Sequence, residues 1–160
     1  MSSIDTVQNL HPDPRCLKLR NMWRATSTII GEKRRYTLAD GAPTGSVFAW
    51  APLTNAQLSG MVLYARISDA TQDVLDKLSV ENAPVVAKQG EWIAVSSPGA
   101  ANNRTIAVTH GPYTLCEVGV YTPEDWGKLY DAYQAGKIPY PWFAGPRDAT
   151  TAGQVGPWEL

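Results

Sequence analysis

The run YTLCEVGVY, Tyr113 to Tyr121, sets a thiol beside a carboxylate inside a stretch whose alternation is that of a buried strand. A thiol with a base at hand can act as a nucleophile, and a carboxylate at the end of a strand can bind a cation. His110 lies six residues before Cys116, so a regular strand puts both on one face and makes a Cys–His dyad conceivable. A cysteine in a strand core is, however, usually inert, because apolar burial suppresses the thiolate. Strict alternation places Leu115, Glu117 and Gly119 on one face and Thr114, Cys116, Val118 and Val120 on the other. Glu117 is then either an edge acid or a ligand.

Little else in the chain supports catalysis. The two histidines are His11, in a proline-rich arm, and His110, before the Gly111–Pro112 turn. Neither has a second ligand at zinc spacing. No GxSxG, HExxH, phosphate-loop or dinucleotide-binding pattern occurs. The expectation is therefore a protein that is not an enzyme. Glu124 and Asp125 read as the acids of a helix start. Lys33, Arg34 and Arg35 follow Gly31 and read as a solvated loop. Cys16 and Cys116 are too distant for a CxxC motif and read as buried thiols, although a disulfide within or between chains stays open.

The elements that position these residues are mostly short strands. Charged residues make up 18% of the 160, against 12 Pro and 13 Gly, which favours strands and turns over a helical bundle. A net charge of −1 gives no field that favours nucleic acid. No run of about 18 apolar residues is present to span a membrane, and the N-terminal run lacks a secretory pattern. Residues 1–14 read as an arm and 15–121 as a β-sandwich domain. Its candidate strands are CLKLRNM, ATSTII, SVFAW, GMVLYARI, VLDKLSV, APVVA, EWIAVSS, RTIAVTH and YTLCEVGV. Residues 122–136 form a helix. Thr122 is its N-cap, Pro123 its first residue, and Trp126, Leu129, Tyr130 and Tyr133 line one face; Gly136 and Pro139 end it. Residues 137–160 are an extended tail rich in Pro, Gly and aromatics, with no period of their own.

With the elements in place, LCEVGVY resembles the closing strand of galactose-binding-like domains, the discoidin (coagulation factor 5/8 type C) and F-type lectin group. LADG with Ser46 is similar to that family's early Asp-Gly turn, and GMVLYAR to its central strand ending in Tyr-x-Arg. The resemblance covers roughly residues 35–121 and implies an all-β, galactose-binding-like jelly-roll sandwich. It implies a calcium site of Asp40, Ser46 and Glu117. The positions where the family carries loop asparagines read Thr37 and Ala42, so calcium is expected to be absent or weak. Glu117 would then accept hydrogen bonds from loop amides or an arginine. The family's fucose pattern is also incomplete: Arg66 matches its first arginine, but no upstream histidine or second basic residue follows suit. Arg66 and Trp50 are the residues that a glycan would meet.

Two functions follow as expectations. The first is a structural or accessory protein of a larger, multi-copy assembly, a bacteriophage virion component made in the host cytoplasm. It would dock through its arms, with Trp142, Phe143 and Trp158 as aromatic anchors on neighbouring subunits. Ordering such extensions costs about 1–2 kcal/mol per residue, which a neighbour's surface would offset. The second is a carbohydrate-binding module for host-surface glycans. No organic cofactor is implied by either.

Overall fold

The structure, a computed structural model, describes residues 9–11, 16, 22–50, 53–98 and 105–142. Strands β1 (Met22–Trp23), β4 (Ser46–Phe48) and β8 (Thr105–Ala107) form one antiparallel sheet in the order β1-β4-β8. Strands β2 (Ala25–Ile30), β3 (Lys33–Leu38), β5 (Val62–Ser68), β6 (Val85–Gln89), β7 (Trp92–Ser96) and β9 (Tyr113–Tyr121) form a second. Its order is β2-β3-β9-β5-β7-β6, again antiparallel. The fold is thus an all-β sandwich with helices α1 (Asn55–Leu58), α2 (Gln72–Asp76) and α3 (Pro123–Gln134) added.

Between the sheets lies a core that includes Tyr36, Val47, Trp50, Leu63, Ile67, Ile93, Ile106, Tyr113, Leu115, Val118 and Val120. The outer face of the larger sheet carries a second apolar layer. There Tyr64, Trp92, Ala94 and Tyr121 meet Trp126, Leu129 and Ala132 of α3, and Ile138 beyond it. Strands β5, β7 and β9 are therefore covered on both faces, which is why VLYARIS and WIAVS read as nearly continuous apolar runs.

Helix α3 forms where its sequence signals place it. The Thr122 hydroxyl accepts from the Asp125 amide at 3.1 Å, and Pro123, Glu124 and Asp125 fill the first turn. At the other end Gly136 adopts φ 76°, and the Gly136 and Lys137 amides donate back to the Tyr133 and Ala132 carbonyls. That is a Schellman stop, and it turns the chain back onto the sheet. Trp92 meets Trp126 and Tyr133 edge-on, with centroids 6.1 and 5.4 Å apart. Such pairs contribute about 0.5–1.5 kcal/mol each beyond their buried area.

Three expectations change. The strand expected at VLDKLSV is instead α2 and its exit. Thr71 caps it by accepting from the Val74 amide, Asp73 pairs with Lys77 one turn on, and Val74 and Leu78 bury on one face. The four-residue spacing is helical, and no alternation competes with it. Lys33, Arg34 and Arg35 are not on a loop but in β3, the return strand of the hairpin that turns at Gly31–Glu32. Lastly, strict alternation fails in β9. Arg66 faces Glu117 while Ile67 faces Leu115, so Cys116 is an extra, bulged residue. The bulge reverses the phase of the strand, so Tyr113 and Leu115 share the core side with Val118 and Val120.

Arg24 is the corner at which the chain passes from one sheet to the other. It sits at φ 55° between β1 and β2, its carbonyl accepting from the Ala39 amide at 3.0 Å. Gly45 lies against this corner: a Cβ there would stand 2.5 Å from the Arg24 carbonyl oxygen.

Candidate functional site on the outer face of β5 and β9

The bulge at Cys116 leaves Glu117 on the outer face of the larger sheet, directly opposite Arg66. The two form a fork-on-fork pair: Arg66 Nε donates to Glu117 Oε1 at 2.9 Å, and Nη2 to Oε2 at 3.3 Å. Arg66 Nη1 reaches Glu91 Oε1 at 3.4 Å, and the Tyr64 hydroxyl donates to Glu117 Oε1 at 3.4 Å. The guanidinium also lies 4.4 Å from the centroid of the Tyr140 ring. Only 17% of the Arg66 side chain and 12% of the Glu117 side chain remain exposed. Burial works against the Arg66 charge, but the hydrogen bond and charge of Glu117 outweigh it and hold its pKa above the usual value. Burial, then the neighbouring Glu117, pushes the Tyr64 phenol well above its usual range.

This arrangement explains the carboxylate in a buried strand. Glu117 is held by an arginine, one of the partners expected for it besides calcium. Its chemistry is that of a clamp: both carboxylate oxygens face Arg66, and Arg66 fixes Tyr140 of the segment after α3.

The other candidate residues are not gathered around it. Asp40 lies on the exposed turn after β3. Ser46 pairs with Trp23 in the smaller sheet, on the far side of the sandwich from the face bearing Glu117. Asp40, Ser46 and Glu117 therefore do not form one ligand set, and no three His, Cys, Asp or Glu side chains cluster among the described residues. Trp50 is fully buried, its indole donating to the Gly119 carbonyl at 3.1 Å. That corrects its expected glycan contact, since a sugar cannot reach it. Cys116 and Cys16 are both buried and neither is in a disulfide; Cys116 Sγ stands 3.1 Å from Ser68 Oγ, and Cys16 packs in the inter-sheet core. His110 is in an exposed turn.

The expected docking anchors divide. Phe143 and Trp158 lie outside the described residues. Trp142 packs against the chain's own outer layer and donates its indole N–H to the Val118 carbonyl at 2.9 Å. Ile138, Tyr140 and Trp142 thus belong to the sandwich, correcting a tail that was expected to start docking elsewhere at residue 137.

Strand β9 explains why. Strand β3 pairs with it only from Tyr113 to Leu115, which leaves the flank beyond without a neighbouring strand among the described residues. Residues 9–11 fill that place. The Leu10 amide donates to the Val120 carbonyl at 2.9 Å. The Asn9 side chain acts as a surrogate peptide, its Nδ2 donating to the Val118 carbonyl and its Oδ1 accepting from the Val120 amide, each at 3.1 Å. His11 Nε2 lies 2.9 Å from the Ala49 carbonyl. Asn9 and His11 are buried, so each of these partners replaces water that cannot reach the strand.

Sequence reasoning missed this closure, because Asn9 and His11 sit in an arm without period. It also missed the network in which Arg35 donates to the Asp69 carbonyl at 2.7 Å and the Thr114 hydroxyl donates to the Asp69 carboxylate at 3.1 Å. The basic run Lys33–Arg35 was its only trace.

The class that fold and site define is an all-β sandwich whose outer face is clamped by an arginine–glutamate pair. Comparison with protein-family models, with curated proteins and with solved structures finds no match to the chain.

Proposed function

We propose that this is a non-enzymatic structural protein of a larger assembly, a bacteriophage virion component of galactose-binding-like type, that docks through its two terminal extensions. One observation carries the reading: the Val118 carbonyl accepts from both Asn9 Nδ2 and Trp142 Nε1. Asn9 and Trp142, the described residues to which the segments 1–8 and 143–160 are joined, therefore lie at one place, and a neighbouring subunit docked there would be within reach of both extensions. Linking two weak contacts at one point raises their joint affinity without a larger interface. The charged cluster supports the reading as well, because Arg66, Glu117 and Glu91 are engaged with one another rather than aimed at a substrate.

The test is deletion of 143–160 with Ile138–Trp142 kept. The truncated protein is expected to melt where the full chain does, yet to be missing from purified phage particles assembled in its presence. Unchanged incorporation would overturn the reading. Deletion from residue 138 is the wrong test, since it strips Tyr140 and Trp142 from the sheet and lowers stability for another reason.

A carbohydrate-binding role is the alternative, and one observation favours it. Trp23 is 48% exposed, with the Arg24 guanidinium 4.6 Å from the centroid of its ring. An exposed indole beside a cation is a usable sugar platform, and it stands where Trp50 cannot. Binding on a glycan array that Trp23→Ala abolishes would move the conclusion to this reading.

A further inference from the structure

Strand β2 ends the larger sheet on one side, with no strand beyond it among the described residues. Natural edge strands are blunted by charges, prolines, bulges or shortness, because an open row of peptide groups recruits other strands. The opposite edge, β6, follows this rule. Pro84 precedes it, Val86 is bulged out between Val85 and Ala87, and Lys88 adds a charge within it. Strand β2 has none of these devices. ATSTII is six residues long, regular in register throughout, and without a charge or a proline.

The free groups of that edge can be assigned. The Gly31–Glu32 turn has two residues, with Gly31 at φ 66°, so the flanking Ile30 and Lys33 form a hydrogen-bonded pair. Bonding to β3 then alternates, and the peptide groups of Ala25, Ser27 and Ile29 point away from the sheet. Ser27 lies opposite the buried Tyr36, which puts Ala25, Ser27 and Ile29 on the core side and Thr26, Thr28 and Ile30 on the outer side. Ile29 and Ile30 are 62% and 53% exposed.

We propose that the occupant of this edge is a second copy of the same chain, paired β2 to β2 in antiparallel sense about a two-fold axis at Ser27. Such an axis must match residues of one face with residues of the same face, and β2 satisfies this with itself. Ser27 then meets Ser27 of the second copy. Ala25 meets Ile29 and Thr26 meets Thr28, each twice. The first is a small residue against a large apolar one, and the second a threonine pair, both favourable across strands. Because β2 carries no charge, like charges are never set directly opposite. The result is one continuous sheet of two copies' six strands. A strand edge about 20 Å long covers less than the roughly 800 Å² per partner of a standard interface. The pairing is thus a reversible dimer contact that becomes populated where many copies are held together. It stands on the edge alone and is independent of docking through the extensions.

Sedimentation of the full chain alone tests it, from about 10 µM to about 1 mM, a span that suits a contact of this size. The weight-average mass is expected to rise from 17.4 kDa toward twice that value. Ser27→Pro removes an outward amide and no bond to β3, so it should hold the mass at that of the monomer with the circular dichroism spectrum kept. Val86→Lys on the opposite edge should leave dimerisation unchanged. If Ser27→Pro does not fold, Thr26→Lys with Thr28→Lys replaces it, setting like charges opposite each other twice on exposed positions. A wild-type chain that stays monomeric throughout overturns the proposal. So does a dimer that survives the β2 variants, or one that only Val86→Lys dissolves.

Discussion

Among the described residues, β2 and the part of β9 beyond Leu115 each have a flank that no strand covers, and the two are treated in opposite ways. Beyond Leu115, β9 runs through the middle of the sheet with both faces covered, and its open flank is closed from within. Leu10, Asn9, Trp142 and the Lys33 ammonium, which donates to the Cys116 carbonyl at 3.1 Å, all bond to it. Along β2 the open flank is at the rim, and no strand among the described residues covers it. The difference teaches what governs closure. A peptide group buried without a partner costs about 1–3 kcal/mol, so an interior gap must be filled from the same chain. At the rim water satisfies the same groups at no cost, and the edge stays free for another strand.

The contrast can be broken by mutation. The largest effect is expected from Asn9→Ala, which removes the oxygen that accepts from both the Val120 and the His11 amides. A loss of about 3 kcal/mol, a fall of roughly 6–12 °C in Tm for a chain of this size, is expected by thermal melting. Trp142→Phe removes a donor from a carbonyl that still has Asn9, so it should lose only about 1 kcal/mol. If Asn9→Ala melts like the wild type, the arm is not what closes β9. A middle-sized effect concerns pH. Tyr64 and Tyr113 are buried, and burial, followed by Glu117 for the first and Tyr36 for the second, raises their phenols above the ordinary value. Below about pH 10 both folded and unfolded chains keep these protons, and the stability is fully present. As pH rises further the unfolded chain loses protons that the folded one retains, so stability falls. Tm measured from about pH 8 to about pH 11 should therefore drop at the alkaline end, and drop less in Tyr64→Phe. A flat profile would mean that Tyr64 is accessible in the folded protein. The smallest effect is expected on the rim: Thr28→Ala should change stability by less than about 0.5 kcal/mol, because its surroundings are solvent. A larger loss in dilute protein would show that the β2 edge is covered within the single chain.

Much of this was legible in the residues. The strands from Ala25 to Ile30, from Val62 to Ser68 and from Trp92 to Ser96, and the helix after Thr122, follow from local chemistry. What was not legible depends on contacts distant in sequence. Val74, Leu75 and Leu78 form a short pattern whose spacing fits a brief helix once Thr71 caps it, and such short patterns are ambiguous until a cap or a partner strand is known. Lys33 to Arg35 looks like a solvated loop because its charges hide a strand. In the fold, Arg35 meets Asp69 and Thr114, and Lys33 meets Cys116, residues more than thirty positions away.

The sequence by itself determined the all-β class, the helix read over 122–136 with both its stops, and the need of a carboxylate in a buried strand for a partner, whether a cation, loop amides or an arginine. Those follow from period, capping residues and the cost of a buried charge, all of them local. Only the tertiary structure decided that the partner is Arg66, because that pairing needs β5 to lie beside β9 in one register. It alone decided that Cys116 is a bulge, since an extra residue exists only relative to a partner strand. And it alone brought Asn9 and Trp142 to the same carbonyl, a meeting set by the length of β3, which stops short and leaves β9 a flank to be filled.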